Sequence, residues 1–355
     1  MSTPEVIVLS SDDESEVHRS KRPQTTSASS PQHSSPPSKR RRREVLLYLN
    51  DDCVVTEGLM ELLIQMPQVR CCVTQQPSLY PFHIQQNDKW SCGFRNLQMI
   101  MTFLVPYLPK DHSFWQYTTP VSSSYEIPSV VQWQQFMEAA WNEGFDADGA
   151  LHYRKKIVGK SVWIGAVEVA SVLAFRGIDA TVVQFIRCAA SRRQLRPLCV
   201  SYFQRHYCQC HDSSHPCSSL ELVRRLLQQT EKSKKSLQPE STCNCDIPPL
   251  YLQWKGHSVC VVGYEVETQT NGTLIHHLLA FDPMKRGSVL KKSLQRSDLK
   301  PFRVDHAKLE RQDCQVVVCS TRTLPASVRE GIKRNLQTAT AAERAVLESL
   351  HKASR

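Results

Sequence analysis

The sequence predicts an α+β fold in which a helical part is followed by a mostly antiparallel sheet, the two meeting at a cysteine and a histidine. Two observations carry this. Phe94, Leu97, Met101 and Leu104 recur at i, i+3, i+7 and i+10 and Pro106 ends the run, so Cys92 stands in the first turn of an amphipathic helix. Downstream, the apolar, β-branched run opened by His257 and the run His277 to Phe281 are separated by Asn271-Gly272, the signature of a hairpin.

The chain of 355 residues is long enough for one large domain or two small ones, and its hydrophobic content of 41% is ordinary for a soluble protein. No apolar run reaches the roughly eighteen residues of a membrane span, and the N-terminus lacks the charged-then-apolar layout of a signal peptide. The expected location is therefore the nucleus, also the cytoplasm, with no membrane partner. In that reducing setting the 14 cysteines are expected as thiols or metal ligands rather than disulfides. The net charge of +10 is spread over short clusters without aromatic-rich motifs, which reads as solvated basic loops and not as a nucleic-acid surface.

Residues 1–44 are rich in Ser, Pro, Thr, Gln and charge and are expected to be disordered. Inside them, Val6-Ile7-Val8-Leu9 followed by Ser10, Ser11, Asp12, Asp13 and Glu14 resembles a SUMO-interacting motif, which would add a strand to the edge of a modifier's sheet. Lys39 to Arg43, with Lys21-Arg22 upstream, reads as a nuclear localisation signal.

From Val45 the composition turns globular. Val45 to Leu49 predicts a strand, and Thr56-Glu57 is expected to cap a short helix carrying Leu59, Leu62 and Leu63 and ended by Pro67. Residues 45–75 thus form an N-terminal extension packed on a main domain of residues 76–322. The Cys92 helix follows. Its unpaired N–H groups and dipole favour a thiolate, although a free cysteine is as readily a small buried hydrophobe. Gly93, without a Cβ, would let a substrate carbonyl approach the backbone.

Asp111 to Tyr125 reads as a polar loop near the cleft. Val130 to Asn142 is a helix burying Trp133, Met137 and Trp141; Trp163 to Leu173 is a second helix, and Ala180 to Phe185 a strand. His206, Cys208, Cys210, His211, His215 and Cys217, with Cys243 and Cys245, are metal-capable, yet the C-x-C pairs depart from the C-x2-C spacing of structural zinc. Residues 204–247 are read as an insertion with a helix at Ser219 to Thr230. Pro248 to Gln253 leads into the His257 strand, Cys314 to Cys319 is the last core strand, and residues 323–355 are a basic helix or tail.

A cysteine on a helix N-terminus, a histidine on a strand and Asp282 after the next strand follow the order nucleophile, general base, orienting carboxylate of a papain-like thiol hydrolase. At this point the chain resembles the peptidase family of the ubiquitin-fold-modifier-specific proteases and the zinc-finger-containing ubiquitin peptidases. The matching pieces are Trp90 to Met99 (WSCGFRNLQM), Ile127 to Asp146, Trp163 to Glu168, Gly256-His257-Ser258 and Phe281-Asp282-Pro283. The resemblance implies a papain-like fold and Cys92, His257 and Asp282 as catalytic residues, without a cofactor or metal. It also implies an oxyanion donor at about the position of Gln85; related modifier proteases use a tyrosine there, which this chain lacks. Trp163, Glu168 and Asp146 fall in matching segments and become candidate substrate-binding residues, the two acids as receivers of arginines in a modifier's tail.

The modifier-specific proteases carry Asp-Pro-His, with the histidine two residues after the aspartate. Here the same place reads Asp282-Pro283-Met284, so His257 must act. The resemblance therefore implies a deubiquitinase cleaving after the C-terminal Gly-Gly of ubiquitin or polyubiquitin. A protease for the ubiquitin-fold modifier or SUMO is the alternative, and a non-catalytic modifier-binding scaffold the alternative of another class.

Overall fold

The run opened by His257 becomes the longest strand of a six-stranded sheet. In the computed structural model, which describes residues 6–7, 47–48, 53–71, 80–109, 112, 127–185, 189–204, 218–232 and 246–333, the strands are β1 (Val6–Ile7), β2 (Leu47–Tyr48), β3 (Val54–Thr56), β4 (Val69–Cys71), β5 (His83–Gln85), β6 (Ile178–Phe185), β7 (Leu250–Trp254), β8 (His257–Thr268), β9 (Leu274–Phe281) and β10 (Cys314–Thr323). The helices are α1 (Leu59–Leu63), α2 (Cys92–Leu104), α3 (Val130–Asn142), α4 (Ala147–His152), α5 (Ala166–Phe175), α6 (Ala189–Gln204), α7 (Ser219–Lys232), α8 (Gly287–Gln295) and α9 (His306–Leu309).

The sheet runs β4-β8-β7-β10-β6, with β9 on the other edge of β8, and every pairing is antiparallel. Along one edge, β8 pairs first with β7 (Trp254↔His257 to Leu250↔Val261) and then with β4 (Cys71↔Gly263, Val69↔Glu265). The predicted β8–β9 hairpin is present, its turn carrying Gly272 at φ 80°. Consecutive residues of β6, β8 and β10 are buried, so both faces of the sheet are covered. The covering helices are α2 and α5, in contact with each other and with α3, and the α6–α7 pair. This is the α+β arrangement expected: a helix carrying Cys92 laid on a mostly antiparallel sheet carrying His257.

Several details differ from the sequence expectations, each for a local reason. The α2 helix is buried on all sides rather than on one stripe, because its polar residues find internal partners. Gln98 Nε2 donates to the Pro128 carbonyl at 2.9 Å, and Thr102 Oγ1 to the Met99 carbonyl at 2.6 Å. The helix expected from Trp163 begins at Ala166, since Gly165 is extended and Glu168 closes a capping box on the Gly165 N–H at 2.8 Å. The lead-in at Pro248 to Gln253 is largely a strand of its own, β7. Gly256, at φ 81°, supplies the left-handed residue of the tight β7–β8 turn. The α1 helix is not capped by Thr56-Glu57: its N-cap is Gly58, without a side-chain cap, and Val54–Thr56 instead pairs with β5.

Residues 53–71 are woven into the domain rather than laid on it: β3 pairs with β5, β4 pairs with β8, and α1 packs on α8. Helix α7 lies where an insertion was expected and is anchored to β6. Asp179 accepts from the Ser219 N–H at 2.9 Å and from its hydroxyl at 2.6 Å. α4, α6, α8, α9 and the short strands β3, β4 and β5 were not marked by the sequence pattern. In β2 the expected strand at Val45 to Leu49 covers Leu47–Tyr48, which pairs with Val6–Ile7.

The basic run Lys39 to Arg43, the Asp111 to Tyr125 loop apart from His112, and the Cys and His residues at 206–217 and 243–245 lie outside the described residues. So do Val8-Leu9 and the acidic residues that follow them. Among the described residues no group of His, Cys, Asp and Glu is placed to hold a metal ion, and no helix is long and apolar enough to cross a membrane.

Candidate active site

The approach to α2 is set by Asp88, whose Oδ1 accepts from the N–H groups of Trp90 (2.9 Å) and Ser91 (2.7 Å). The first bond of the helix runs from Arg95 N to Ser91 O at 2.9 Å. The N–H groups of Cys92, Gly93 and Phe94 therefore have no partner within the helix, and the helix dipole is positive where the Cys92 sulfur stands. Gly93 is required by packing. A Cβ there would fall 2.6 Å from Ile164 Cγ1 and 2.9 Å from the Ile164 carbonyl oxygen. The space on its Cβ side is filled by Ile164, in the segment leading into α5.

His257 opens β8. Phe281 at the end of β9 pairs with Cys260, which carries the following residue, Asp282, back alongside the start of β8. The His257 Nε2 to Asp282 Oδ1 distance is 2.8 Å. The same carboxylate oxygen accepts from Met284 N at 3.0 Å, and the Asp282 carbonyl accepts from Lys285 N at 2.9 Å. With Nε2 engaged, His257 has Nδ1 left for Cys92. Trp254 packs edge-on against the His257 ring at 5.3 Å.

The electrostatics are those of a coupled set. Burial pushes the Cys92 thiol up, but hydrogen bonds with His257 and Ser258, together with the His257 charge, overcome it and leave the thiol below its ordinary value. Burial would lower His257, whereas hydrogen bonds and charge from Asp282 and Cys92 raise it to about 9. Burial works to raise Asp282, and the bond to His257 with its charge holds the carboxyl lower overall. By contrast, burial drives Cys71 and Cys199 to about 12, and Cys260 and Cys319 also upward. Of the cysteines whose acidity is displaced, Cys92 alone among the described residues is moved toward the thiolate.

The remaining candidates divide. Gln85 is half-buried at the end of β5, its amide donating to Asn87 Oδ1 over a long 3.4 Å. The neighbouring Gln86 is buried, and its N–H donates to the Pro283 carbonyl at 2.8 Å. Trp163 is 54% exposed, large for a tryptophan, and its ring lies 3.7 Å from where a Cβ of Gly256 would stand, beside His257. Glu168 caps α5 through the Gly165 N–H, and burial with the nearby Asp146 charge raises its carboxyl. Asp146 is a correction. It is buried, its Oδ1 caps α4 by accepting from Gly149 N at 3.0 Å and its Oδ2 accepts from Trp141 Nε1 on α3 at 3.2 Å, so both oxygens have partners inside the protein.

Two contributors were not among the expected residues. His83 on β5 points Nε2 at the Asp282 carbonyl, 3.0 Å away, and packs edge-on to Phe281. Asn96 on α2 donates from Nδ2 to Ser258 Oγ at 2.9 Å. Nothing in the spacing marks His83, which is nine residues from the nucleophile and far from Asp282 in sequence. Asn96 was legible in principle, since it stands at i+4 from Cys92 and so on the same helix face.

The sequence model of peptidase family C78 matches residues 68–316. The chain is 28% identical over 278 residues to zinc finger-containing ubiquitin peptidase 1 of Bos taurus, covering 76% of this chain and 42% of that protein. It is 29% identical over 241 residues to the Homo sapiens protein of the same name, covering 66% and 35%. To ubiquitin carboxyl-terminal hydrolase mug105 of Schizosaccharomyces pombe it is 28% identical over 228 residues, covering 62% of this chain and 70% of that one. The chain thus spans less than half the length of the zinc finger-containing relatives. A crystal structure of UfSP from C. elegans aligns with 81% of this chain and 40% of that one, at 12% identity and a TM-score of 0.37.

Proposed function

The chain belongs to peptidase family C78, and from that membership together with the geometry around Cys92 we infer a cysteine peptidase that cleaves after the C-terminal Gly-Gly of ubiquitin. The observation that carries this reading is the 2.8 Å bond from His257 Nε2 to Asp282 Oδ1, which leaves the other ring nitrogen for a thiol already displaced toward the thiolate. Ubiquitin is favoured over other modifiers because relatives from mammals and from a yeast both carry ubiquitin in their names. Residue 284 adds to this: it is a methionine, 62% exposed, where the modifier-specific pattern has its histidine.

In the resting site Cys92 is a thiolate and His257 an imidazolium, with Asp282 fixing the ring. The sulfur attacks the carbonyl carbon of the terminal glycine, and the displaced electron pair becomes an oxyanion near the free N–H groups at the start of α2. Gln85 adds a donor by exchanging its long bond to Asn87. As the tetrahedral intermediate collapses, the C–N bond breaks and His257 gives its proton to the leaving amine. The product is a thioester on Cys92. Neutral His257 then takes a proton from water, hydroxide adds to the thioester carbonyl, and release of the ubiquitin carboxylate regenerates the ion pair.

Trp163, at the mouth beside Gly256 and His257, walls the channel for the extended tail. Outside the catalytic domain, Val6 to Leu9 would engage a SUMO-like modifier and Lys39 to Arg43 would direct the protein to the nucleus.

The deciding experiment presents electrophilic C-terminal probes of ubiquitin, SUMO and the ubiquitin-fold modifier to the protein side by side. Covalent capture of the ubiquitin probe on Cys92 is expected. Preferential capture of another modifier would transfer the activity to that substrate, and no capture of any would leave a binding scaffold.

A further inference from the structure

Between α4 and α5 the chain runs through residues 153–165 without helix or strand, yet its backbone is pinned by side chains from the elements around it. Glu138 Oε1 on α3 accepts from Ile157 N at 2.6 Å and from Val158 N at 2.8 Å. Gln134, one turn earlier, accepts from Gly159 N at 2.9 Å and donates to the Lys160 carbonyl at 2.8 Å. At the other end Gly165 N donates to Glu168, and Ala166 N donates to Gln253 Oε1 on β7 at 2.5 Å. Residues 161–164 lie between these two sets of ties. Among the described residues one side chain from outside reaches their backbone by a hydrogen bond: the Tyr153 hydroxyl donates to the Trp163 carbonyl at 2.5 Å. Tyr153 closes α4 and stacks on the buried Trp141 ring, the centroids 5.4 Å apart and the planes 14° from parallel. Burial foremost, then the charges of Glu168 and Asp146, push its phenol up to about 12, so the hydroxyl keeps its hydrogen to donate.

We propose that Tyr153 is a positioning residue for substrate recognition: by holding the Trp163 carbonyl it presets the exposed Trp163 indole as a fixed wall for the extended tail of the substrate. The inference rests on the reading of Trp163 as that wall. Trp163 is then fixed at two points. Its backbone is held by Tyr153, and its ring lies 3.7 Å from where a Cβ of Gly256 would stand, against the turn that precedes His257. The wall is thereby registered to the residue that opens β8. An aromatic side chain already set in its binding position loses little freedom when a peptide packs on it, whereas one on a loose loop must be ordered by the substrate at a cost in affinity. A tie with only a mechanical role would stabilise the fold without affecting substrate affinity.

The test uses the full chain with a fluorogenic C-terminal amide of ubiquitin as the probe. Tyr153→Phe keeps the ring that stacks on Trp141 and removes only the hydroxyl. Its KM is expected to rise about three- to tenfold, the scale of one hydrogen bond, with little change in kcat. Trp163→Ala should raise KM by at least as much. The double variant should match Trp163→Ala, because Tyr153 then has no indole to position. Hydrogen exchange, which needs no substrate, should be faster at the amides of residues 161–164 in Tyr153→Phe. Where Trp163→Ala raises KM, a wild-type KM in Tyr153→Phe overturns the proposal and leaves the channel reading standing. Unchanged exchange at residues 161–164 also overturns it, as does a double variant whose KM rises by the product of the two single effects. A wild-type KM in Trp163→Ala would instead overturn the reading of Trp163 as the channel wall, and the proposal with it.

Discussion

His83 Nε2 lies 3.0 Å from the backbone oxygen of Asp282, the residue whose side-chain Oδ1 lies 2.8 Å from His257. Burial lowers the His83 pKa, so the ring is neutral and donates from Nε2 to the carbonyl. His83 and the Gln86 N–H together hold the Asp282-Pro283 turn onto β5. His83→Ala is expected to lower kcat about tenfold with little change in KM, on the scale of one hydrogen bond that positions Asp282. His83→Gln, which keeps a donor, should recover part of the loss. Wild-type kcat in a folded His83→Ala protein would assign His83 to packing alone.

Cys92→Ala removes the nucleophile and should abolish hydrolysis while ubiquitin binding persists, as measured by turnover and by calorimetry. His257→Ala should reduce kcat/KM by roughly 10²- to 10⁴-fold, because Met284 offers no replacement base. Strong probe labelling of His257→Ala at neutral pH would mean that the start of α2 activates the thiol unaided.

The pH profile of kcat/KM should be bell-shaped. His257 is raised to about 9, so its imidazolium is lost, and activity with it, as the pH climbs through about 9. The Cys92 thiol is lowered, so the acid limb should lie below the range of an ordinary cysteine. A basic limb near the ordinary histidine value would show that the ion pair does not form.

His306 gives a stability prediction away from the site. Burial foremost, then the charges of Arg196 and His277, lower its pKa from 6.5 to about 4. Above pH 6.5 both folded and unfolded chains leave it neutral. Between 6.5 and about 4 only the unfolded chain takes up the proton, so stability falls with pH across that window. His83, lowered in the same direction, adds to the slope. Denaturant unfolding at a series of pH values should show a shallower decline in His306→Gln, and an unchanged slope would refute the assignment.

Asp146→Ala should lower the melting temperature and leave KM for ubiquitin substrates unchanged. The substitution strips the α4 cap and the acceptor of the Trp141 indole, worth about 1 to 3 kcal/mol together. It also puts alanine at φ 47°, where asparagine is better tolerated, so Asp146→Asn should be milder. A raised KM with an intact melting temperature would return Asp146 to substrate recognition.

The residues proposed to carry chemistry stood out in the sequence because each stands at a local punctuation of the chain. Cys92 opens an apolar-periodic helix, His257 follows a glycine into a β-branched run, and Asp282 ends a strand before a proline. Helix starts and strand ends are set by short-range sterics and hydrogen bonding, which a sequence records. Their order, with the Asn271-Gly272 turn, was enough to predict an α+β fold and to bring His257 and Asp282 onto neighbouring strands. What the sequence could not decide was every partnership made across long separations. It left open whether Asp146 faces a substrate or caps α4, and it did not show that Ile164 packs against the Cβ side of Gly93. It did not show that β4 and β5, from before the nucleophile, brace β8 and the Asp282 turn. Those outcomes depend on which buried polar groups find partners once the core has closed, and that requirement acts on neighbours in space, not on neighbours in the chain.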